Sequence, residues 1–377
     1  MRFYCAKCTS PPKFINSSFA IMFSYKTVTI NPVLPNRPRA SVLVIYTGGT
    51  LGMVYEKGQL VPFDFEQILD RLPEIKRLDF EITFTSLEQI MDSSNMRPDV
   101  WVELGQLIRR NYDFYDSFVI LHGTDTMAYT ASALSFMLQN LQKPVILTGA
   151  QLPIGVARTD ARENIITALE IAAAQQDGKP IVPEVCIYFQ NVLLRGNRAK
   201  KKETSQFNAF RSDNYVPLAE VGVTIEYNFP YIATPTDGSV FELRPTLDEN
   251  VAILKLFPGI TPNVVRSILE IKDLKGVVLE TFGAGNAPTL PWFLQELKDA
   301  TDRGVVIMNV SQCDGGRVMQ GRYQTSTWFD KIGVISGADI TTEAAITKMM
   351  WVFGQETDPE RIKTLLAQPI VGEMTVW

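Results

Sequence analysis

The chain has 377 residues, of which 46% are apolar and 20% charged, so it can bury a large core and is long enough for two domains. Its formal net charge of -5 gives no general attraction to polyanions, which argues against nucleic acid as its main partner. Its apolar runs fall far short of the roughly 18 to 20 residues of a membrane helix, so we expect no membrane association.

The first 40 residues carry six Lys or Arg and no acidic residue, since the first carboxylate of the chain is Glu56. We expect residues 1–40 to form a flexible basic tail outside the folded body. Three alternatives stay open for this segment. They are an organellar transit segment, a weak secretory signal built on residues 14–23, and a natural start at Met22.

Four cysteines are too few and too scattered for a disulfide scaffold, so the sequence favours a reducing, cytoplasmic compartment. Cys5 and Cys8 are half of a zinc knuckle without a second half nearby, and an incidental pair is the favoured interpretation. The apolar neighbours of Cys186 predict a buried free thiol. The fourth is Cys313.

From Ser41 onward the pattern repeats strand, loop, helix. Continuous apolar runs, typical of parallel strands covered on both faces, occur at residues 41–46, 118–121, 145–147 and 185–189. Helical spacing marks residues 127–138 and 161–174, the second capped through Thr159 and Asp160. A last strand is predicted at residues 221–227. The order predicts a larger N-terminal α/β domain with a doubly wound sheet over residues 41–227.

Residues 228–248 gather Pro, Thr, Asp and Gly without periodicity and are predicted to be a linker. Alternation then resumes, with strands predicted at residues 251–256, 276–280 and 305–309 and helices at 263–271, 291–301, 342–354 and 359–367. Residues 249–377 are therefore predicted to form a smaller C-terminal α/β domain with a parallel sheet.

Two loops rich in glycine and threonine follow predicted strands of the first domain. The first is Thr47-Gly48-Gly49-Thr50, and the second runs from His122 to Met127 and contains Thr124 and Asp125. Because ligands bind at the carboxyl ends of parallel strands, we expect the two loops to form one site. His122 is the single histidine of the chain, so nucleophilic chemistry has to rely on threonine, lysine and tyrosine.

In the first loop the glycines permit a sharp turn that leaves the Thr50 hydroxyl exposed beside free backbone N–H groups. Such a loop suits a nucleophile and an oxyanion. The alternative is a phosphate-binding turn, but residues 48–52 match neither the dinucleotide fingerprint nor the P-loop.

A threonine nucleophile needs a neighbouring base, and in a chain with one histidine a lysine near a carboxylate is a candidate. Candidate lysines lie in the segment Arg195 to Lys202, although composition alone favours a solvated basic turn there. Asp125 is suited to orient or charge such a partner. We expect His122 to be a packed, hydrogen-bonded residue rather than a catalyst.

These motifs together resemble the bacterial-type L-asparaginases. Thr-Gly-Gly-Thr at residues 47–50 and His-Gly-Thr-Asp-Thr at 122–126 are similar to the two family signatures, and Met91 to Met96 resembles the substrate segment between them. The likeness continues at residues 147–151, 195–198, 282–288 and 334–339 and covers the chain from about Ser41 onward. Asp92-Ser93-Ser94 and Arg-Gly-Asn-Arg point to the cytosolic type I branch.

The resemblance implies that Thr50 is the nucleophile, which attacks the side-chain amide of L-asparagine to give a β-aspartyl ester and ammonia. Thr124, Asp125 and Lys201 form the implied supporting triad. No metal and no organic cofactor is implied.

The resemblance also assigns the substrate contacts. Asp92, Ser93 and Ser94 are implied to hold the amino-acid head group, with Asp92 and Asp125 binding its ammonium. Backbone N–H groups near Thr50 and Thr124, at Gly49 and Gly123, are implied to stabilise the oxyanion.

Three positions depart from the family pattern. Asn95 stands where an aspartate is common, and Glu280-Thr281 stands where some type I members have the arginine of an allosteric asparagine site, so we do not predict that regulation. The third departure concerns the nucleophile. Many members place a tyrosine in the loop after the first motif to help activate the nucleophile, whereas this chain has Leu60 there. We expect Tyr55 or Tyr323 to substitute for it.

The leading hypothesis is an L-asparagine amidohydrolase that works as a homotetramer, a dimer of dimers whose sites lie between one chain's first domain and its partner's second. One alternative is the asparaginase-like subunit of a glutamyl-tRNA amidotransferase. Another is a non-catalytic amino-acid-binding protein of the same fold. Preference for asparagine over glutamine is left open, since one methylene changes binding by only about 1 to 3 kcal/mol.

Overall fold

A computed structural model describes residues 25–30, 38–56, 59–62, 72–321 and 324–376. Within these ranges the strands are β1 (Tyr25–Ile30), β2 (Ser41–Gly48), β3 (Met53–Glu56), β4 (Gln59–Pro62), β5 (Glu81–Met91), β6 (Ser117–Leu121), β7 (Leu138–Gln139), β8 (Val145–Thr148), β9 (Gln175–Gln176), β10 (Lys179–Pro180), β11 (Val185–Phe189), β12 (Val192–Arg195), β13 (Lys200–Lys201), β14 (Phe210–Arg211), β15 (Ala219–Val221), β16 (Ile225–Tyr227), β17 (Glu242–Leu243), β18 (Val251–Lys255), β19 (Gly276–Thr281), β20 (Val306–Ser311) and β21 (Ile335–Ser336). The helices are α1 (Pro98–Asn111), α2 (Met127–Met137), α3 (Ala161–Ala173), α4 (Pro262–Leu269), α5 (Pro291–Asp302), α6 (Gln324–Lys331), α7 (Thr342–Gln355) and α8 (Pro359–Ala367).

The first domain is built on a nine-stranded mixed sheet in the order β1-β5-β2-β6-β8-β11-β12-β15-β16. Strands β5, β2, β6, β8 and β11 run parallel, and the outer strands join them antiparallel. Alternate residues of β2 enter two different cores, with Leu43 and Ile45 on one face and Val42 and Val44 on the other. This burial on both faces explains why β2 and β6 are continuous apolar runs. The predicted α/β fold class is confirmed.

The edge strand β1 corrects one expectation. Tyr25–Ile30 pairs antiparallel with β5, Tyr25 opposite Leu87 and Ile30 opposite Ile82. The prediction that the whole of residues 1–40 lies outside the folded body is therefore wrong for this strand. Polar Thr27 and Thr29 alternate with Val28, a weak strand signal that only the pairing partner makes clear.

The predicted strand at residues 221–227 is also corrected. The structure has two short antiparallel strands there, β15 and β16, with Val221 opposite Ile225. Gly222 lies in the turn between them, where its N–H donates to the Thr224 carbonyl at 3.0 Å. A glycine inside a short apolar run thus marked a turn.

The smaller domain carries the parallel sheet β18-β19-β20-β21, as predicted. Helix α7 covers one face of this sheet and also packs on the first domain. Phe136 of α2 stacks on Trp351 of α7 with ring centroids 6.3 Å apart. One hydrophobic core therefore runs through both domains.

None of the helices in the described part of the chain is both long and apolar enough to cross a bilayer. Cys186 is a buried free thiol, as predicted, and burial raises its pKa. Cys313 is free and exposed.

Candidate active site

Three loops meet at the carboxyl ends of β2, β5 and β6 with two glycines between them. Gly49 has φ 91°, and a Cβ atom on it would lie 2.5 Å from the Gly123 Cα. A Cβ on Gly123 would in turn lie 2.5 Å from the Ser93 Oγ. Because no side chain larger than hydrogen fits at either position, the two threonine motifs and the segment between them are brought into direct contact.

These loops enclose a polar cavity of about 180 Å³. Its lining contains Gly49, Thr50, Met53, Asp92, Ser93, Gly123, Thr124, Asp125, Gln151 and Lys201. The structure thus brings together all but one of the predicted site residues that it describes with side chains. Ser94 is outside the lining and bonds Asp92 instead. Its N and Oγ both donate to Asp92 Oδ1, at 2.9 and 2.6 Å, and these bonds lower the pKa of Asp92.

Lys201 joins the two residues that were predicted to be its partners. Its Nζ donates to Thr124 Oγ1 at 2.8 Å and to Asp125 Oδ1 at 2.6 Å. The lysine lies on β13, 76 residues after Asp125 in the chain. The ammonium and carboxylate make a charge-assisted bond, while the Thr124 hydroxyl faces the cavity.

Thr50 begins a short 3₁₀ turn, Thr50–Gly52, directly after β2. Gly48 and Gly49 both have positive φ, 125° and 91°, which allows the chain to reverse here. Tyr46 fills the space below the turn, since a Cβ on Gly52 would lie 1.7 Å from its hydroxyl oxygen. The buried tyrosine supports the turn from below and Thr50 lines the cavity above it.

Gln151 lines the cavity although no motif in the sequence marks it as a site residue. Thr124 Oγ1 donates to Gln151 Oε1 at 3.4 Å, and Gln151 Nε2 donates to the Gln206 carbonyl at 3.0 Å. Asp160 fixes its backbone by accepting from Gln151 N at 3.0 Å. Asp160 therefore anchors the site loop, and the cap of α3 comes from Thr159, whose Oγ1 accepts from Ala161 N at 3.0 Å. The sequence feature that could have identified Gln151 as a site residue is its position shortly after the buried strand β8.

Met53 also lines the cavity without having been predicted, since an apolar residue at the start of a strand carries no chemical signal. It begins the hairpin β3–β4, in which Tyr55 is opposite Leu60. The structure describes the backbone of Tyr55 but not its side chain. Tyr323 lies outside the described residues.

Two family models match most of the chain. The model described as asparaginase, N-terminal, matches residues 41–232. The model described as glutaminase/asparaginase C-terminal domain matches residues 250–366. The chain belongs to the asparaginase family.

Individual relatives agree with this assignment. L-asparaginase 1 of Escherichia coli (strain K12) is 41% identical over 340 residues, which cover 89% of this chain and 98% of that protein. The 60 kDa lysophospholipase of Homo sapiens is 44% identical over 363 residues, covering 90% of this chain and 62% of that protein. The crystal structure of L-asparaginase I from Vibrio cholerae has a TM-score of 0.81 at 39% identity and covers 90% of this chain and 100% of that one. The predicted resemblance to type I asparaginases is confirmed.

His122 packs beneath this asparaginase-family site, as expected. Its Nδ1 lies 2.6 Å from the Gly123 carbonyl, which can only accept, so Nδ1 carries the proton. Its Nε2 then accepts from the Thr130 hydroxyl at 2.9 Å, and Thr130 accepts from Trp101 Nε1 at 2.9 Å. Complete burial lowers the pKa of His122 to about 4, which keeps the ring neutral and fixes the second loop from within.

The segment before Lys201 is not the solvated basic turn that composition favours. Arg195 and Arg198 are 8% and 3% exposed. Arg195 Nε pairs with Glu184 at 2.6 Å, and Arg198 Nη1 pairs with Asp339 at 3.0 Å. Because both carboxylates come from elsewhere in the chain, composition gave no indication of this burial.

Proposed function

We propose that this chain hydrolyses L-asparagine to L-aspartate and ammonia, with Thr50 as the nucleophile. The observation that carries the proposal is the contact of Lys201 Nζ with both Thr124 Oγ1 and Asp125 Oδ1, at 2.8 and 2.6 Å. This set lines the same polar cavity as Thr50. Hydroxyls with a lysine and a carboxylate beside them are the parts that acyl transfer needs when histidine is absent from the site.

In the proposed reaction the Thr50 oxygen attacks the side-chain carbonyl carbon of asparagine as its proton leaves. Backbone N–H groups at Gly49 and Gly123 stabilise the negative oxygen of the tetrahedral intermediate. The carbon–nitrogen bond then breaks, and the nitrogen takes up a proton and leaves as ammonia. Water attacks the β-aspartyl ester, which releases aspartate and restores Thr50, while Thr124 and Lys201 relay protons.

The amino-acid head group is proposed to bind at Asp92, Ser93 and Asp125 of the same cavity. The carboxylates of Asp92 and Asp125 are suited to an ammonium, and the low pKa of Asp92 keeps that group charged. Ser93 is proposed to donate to the α-carboxylate. Ser94 then acts through Asp92, which it holds by two hydrogen bonds.

The test is release of ammonia from asparagine by the wild-type protein and by Thr50→Ala. Removing the nucleophile is expected to lower kcat by a factor of about 10⁴ or more. The control is Thr364→Ala, which removes an exposed threonine hydroxyl on α8 and keeps full activity. Wild-type turnover in a Thr50→Ala protein that melts like wild type would rule out the threonine mechanism.

The same assay separates the alternatives. An amidotransferase subunit would release little free ammonia without its partner, and a binding protein would bind asparagine in calorimetry without turnover. Glutamine run in parallel measures selectivity, which we expect to favour asparagine by about 10- to 200-fold, the value of one methylene in a pocket.

We propose that the hydroxyl of Tyr55 or Tyr323 accepts the proton of Thr50 and passes its own proton to the leaving amide nitrogen, in place of the tyrosine absent at Leu60. Tyr55→Phe and Tyr323→Phe each remove only a hydroxyl. The variant that loses about 100-fold or more in kcat identifies the group, as is typical for general-base removal. If both variants keep wild-type kcat, neither tyrosine has this role.

We further propose a homotetrameric assembly and a reducing, cytoplasmic location. The family resemblance supports the first, and the free thiols of Cys186 and Cys313 support the second. Sedimentation equilibrium at micromolar protein tests the assembly, because a monomer would contradict it.

A further inference from the structure

Asp314 bridges the two lysines that flank Lys201. Its Oδ1 lies 3.0 Å from Lys200 Nζ, and its Oδ2 lies 2.6 Å from Lys202 Nζ. Lys202 Nζ also lies 3.3 Å from Asp213. We call these four residues, Lys200, Lys202, Asp213 and Asp314, the ionic clamp.

The clamp lies on the opposite face of the strand from the catalytic contact. Successive residues of an extended strand point to opposite faces, so Lys200 and Lys202 share one face and Lys201 takes the other. Strand β13 is only Lys200–Lys201 and pairs with β14, with Lys201 opposite Phe210. Lys202 N extends this short pairing by donating to the Ala209 carbonyl at 2.7 Å, and the side-chain contacts of Lys200 and Lys202 add to the hold on the strand.

The clamp connects the two domains. Asp314 lies in the loop after β20 of the second domain, whereas the lysines belong to the first. Asn214 ties this loop further, since its Oδ1 accepts from Gly316 N at 2.8 Å and its Nδ2 donates to the Asp339 carbonyl at 3.1 Å. The position of Asp314 is therefore set by both domains.

Lys202 is partly shielded from water, with a side chain that is 18% exposed, whereas Asp314 lies at the surface with its side chain 39% exposed. The hydrogen bond from Lys202 lowers the pKa of Asp314. Burial opposes the charge on Lys202, but the bonds to Asp314 and Asp213 raise its pKa overall. Asp314 and Lys202 therefore attract each other, and Asp314 also offsets the repulsion between the neighbouring ammonium groups of Lys200 and Lys202.

We infer that Asp314 is a positioning residue for the proposed amide hydrolysis, which holds Lys201 at Thr124 and Asp125 from the second domain through Lys200 and Lys202. The inference rests on the proposed function. It predicts that the contribution of Lys201 depends on a carboxylate that touches neither the cavity nor the reacting atoms.

The experiment compares Asp314→Asn with Asp314→Glu and with the control Asp273→Asn in the full-length protein. Asp273 is an acid of the same domain whose side chain is 72% exposed. Loss of the clamp is expected to lower kcat by about 10- to 100-fold, as expected for a group displaced by about 1 Å. KM is expected to change by less than about threefold, because Asp92, Ser93 and Asp125, which bind the head group, keep their own positions and only Lys201 moves. Asp314→Glu is expected to recover most of the loss.

A second variant keeps the test valid if Asp314→Asn folds poorly. Lys202→Met breaks the clamp from the first domain, and Lys202→Met with Asp314→Asn is expected to be no more than about twofold slower than the worse single variant. Independent losses that multiply would overturn the inference. So would an Asp314→Asn protein with the kcat of Asp273→Asn, or one changed only in KM.

Different results would contradict the proposed function and the role of Asp314. Absence of ammonia release by the wild-type protein, or full turnover by Thr50→Ala, defeats the proposed function itself. Wild-type turnover that is lost in Thr50→Ala but unchanged in Asp314→Asn defeats only the role of Asp314.

Discussion

At the scale of single residues, Gly123 is the contact point of all three site loops. It does not have a left-handed backbone conformation, so alanine is excluded there by space alone. A Cβ would lie 2.5 Å from Ser93 Oγ. We predict that Gly123→Ala pushes the Ser93 loop away from Thr124 and lowers kcat/KM for asparagine by about 100-fold, the cost of misplacing catalytic groups by about 1 Å.

The matched control for this substitution is Gly222→Ala. Gly222 also has an ordinary backbone conformation, and the nearest atom to its added Cβ is the Thr224 carbonyl oxygen at 4.0 Å. Kinetic assays of both variants give the comparison. Equal kcat/KM in the two proteins would show that the loops tolerate a methyl group between them.

His122 provides a second prediction at this scale. Its pKa is about 4 in the folded chain against an ordinary value of 6.5. Between pH 6.5 and 4 the unfolded chain binds a proton that the folded chain does not, so the free energy of unfolding falls as the pH is lowered through this window. Above pH 6.5 the ring is neutral in both states. The full loss is about 3 kcal/mol, from 1.36 kcal/mol per pKa unit.

The measurement is unusually direct because the chain has one histidine. The imidazole NMR signal of His122 is expected to stay that of the neutral ring at pH 5. Urea unfolding at pH 7 and pH 5 is then compared between wild type and His122→Gln, which keeps one donor and one acceptor but does not titrate. Equal losses of stability in the two proteins would contradict the prediction.

At the scale of elements, β1 covers the edge of β5, the strand that leads to Asp92 and Ser93. Its described side chains contribute little to the core, since Thr27 and Thr29 are exposed and Val28 is half-buried. We predict that a chain beginning at Ala40 folds and keeps its kcat within about twofold, but aggregates more readily because β5, still paired with β2 on one side, is left with an open edge on the other.

A chain beginning at Ser24 is the control, since it keeps β1 and loses only the residues before it. Light scattering during incubation at 37 °C, with kcat measured in parallel, compares the two proteins. Loss of activity in the soluble chain that begins at Ala40 would show that β1 also positions the carboxyl end of β5.

The elements that sequence predicted well are those with strong local signals. Strands such as β2 and β6 are apolar on both faces, and helices such as α7 have clear periodicity. The sequence pattern therefore predicts both the type of these elements and their burial. The sequence alone does not predict strand β1, because its alternation of Thr and Val is weak and only the pairing with β5 identifies it as a strand. Gly222 is a local turn signal that the sequence does contain. It divides the strand predicted at residues 221–227 into β15 and β16.

For the site, the sequence predicts the residues whose polar groups line the cavity but not the residues that hold them in place. Thr50 and Lys201 are legible from composition and family likeness. Gln151 and Asp160 act through contacts between loops, and Asp314 acts from the other domain. Such residues have no distinctive local pattern, because the fold alone brings their partners near.

At the scale of the whole molecule, the C-terminal segment joins the two domains. Arg198 Nε, beside the segment that carries Lys201, donates to the Gly372 carbonyl at 2.7 Å. The next residue, Glu373, pairs with Lys348 of α7 at 2.7 Å, and both side chains are completely buried. Lys348 Nζ also donates to the carbonyls of Leu366 and Gln368, at 3.1 and 2.6 Å. Every charge in this buried contact has a partner.

We predict that Lys348→Met lowers the free energy of unfolding by about 3 to 5 kcal/mol, because it leaves the Glu373 carboxylate buried without its countercharge. Lys348→Met with Glu373→Gln removes that charge while an amide oxygen still accepts from the Ile370 and Val371 N–H groups, which now bond Glu373. The double variant is therefore expected to be more stable than Lys348→Met alone. Urea unfolding followed by tryptophan fluorescence and by residual activity measures this, and the shared core requires the two transitions to coincide. A double variant less stable than Lys348→Met would show that the hydrogen bonds accepted by the Glu373 carboxylate matter more to the C-terminal segment than its missing countercharge.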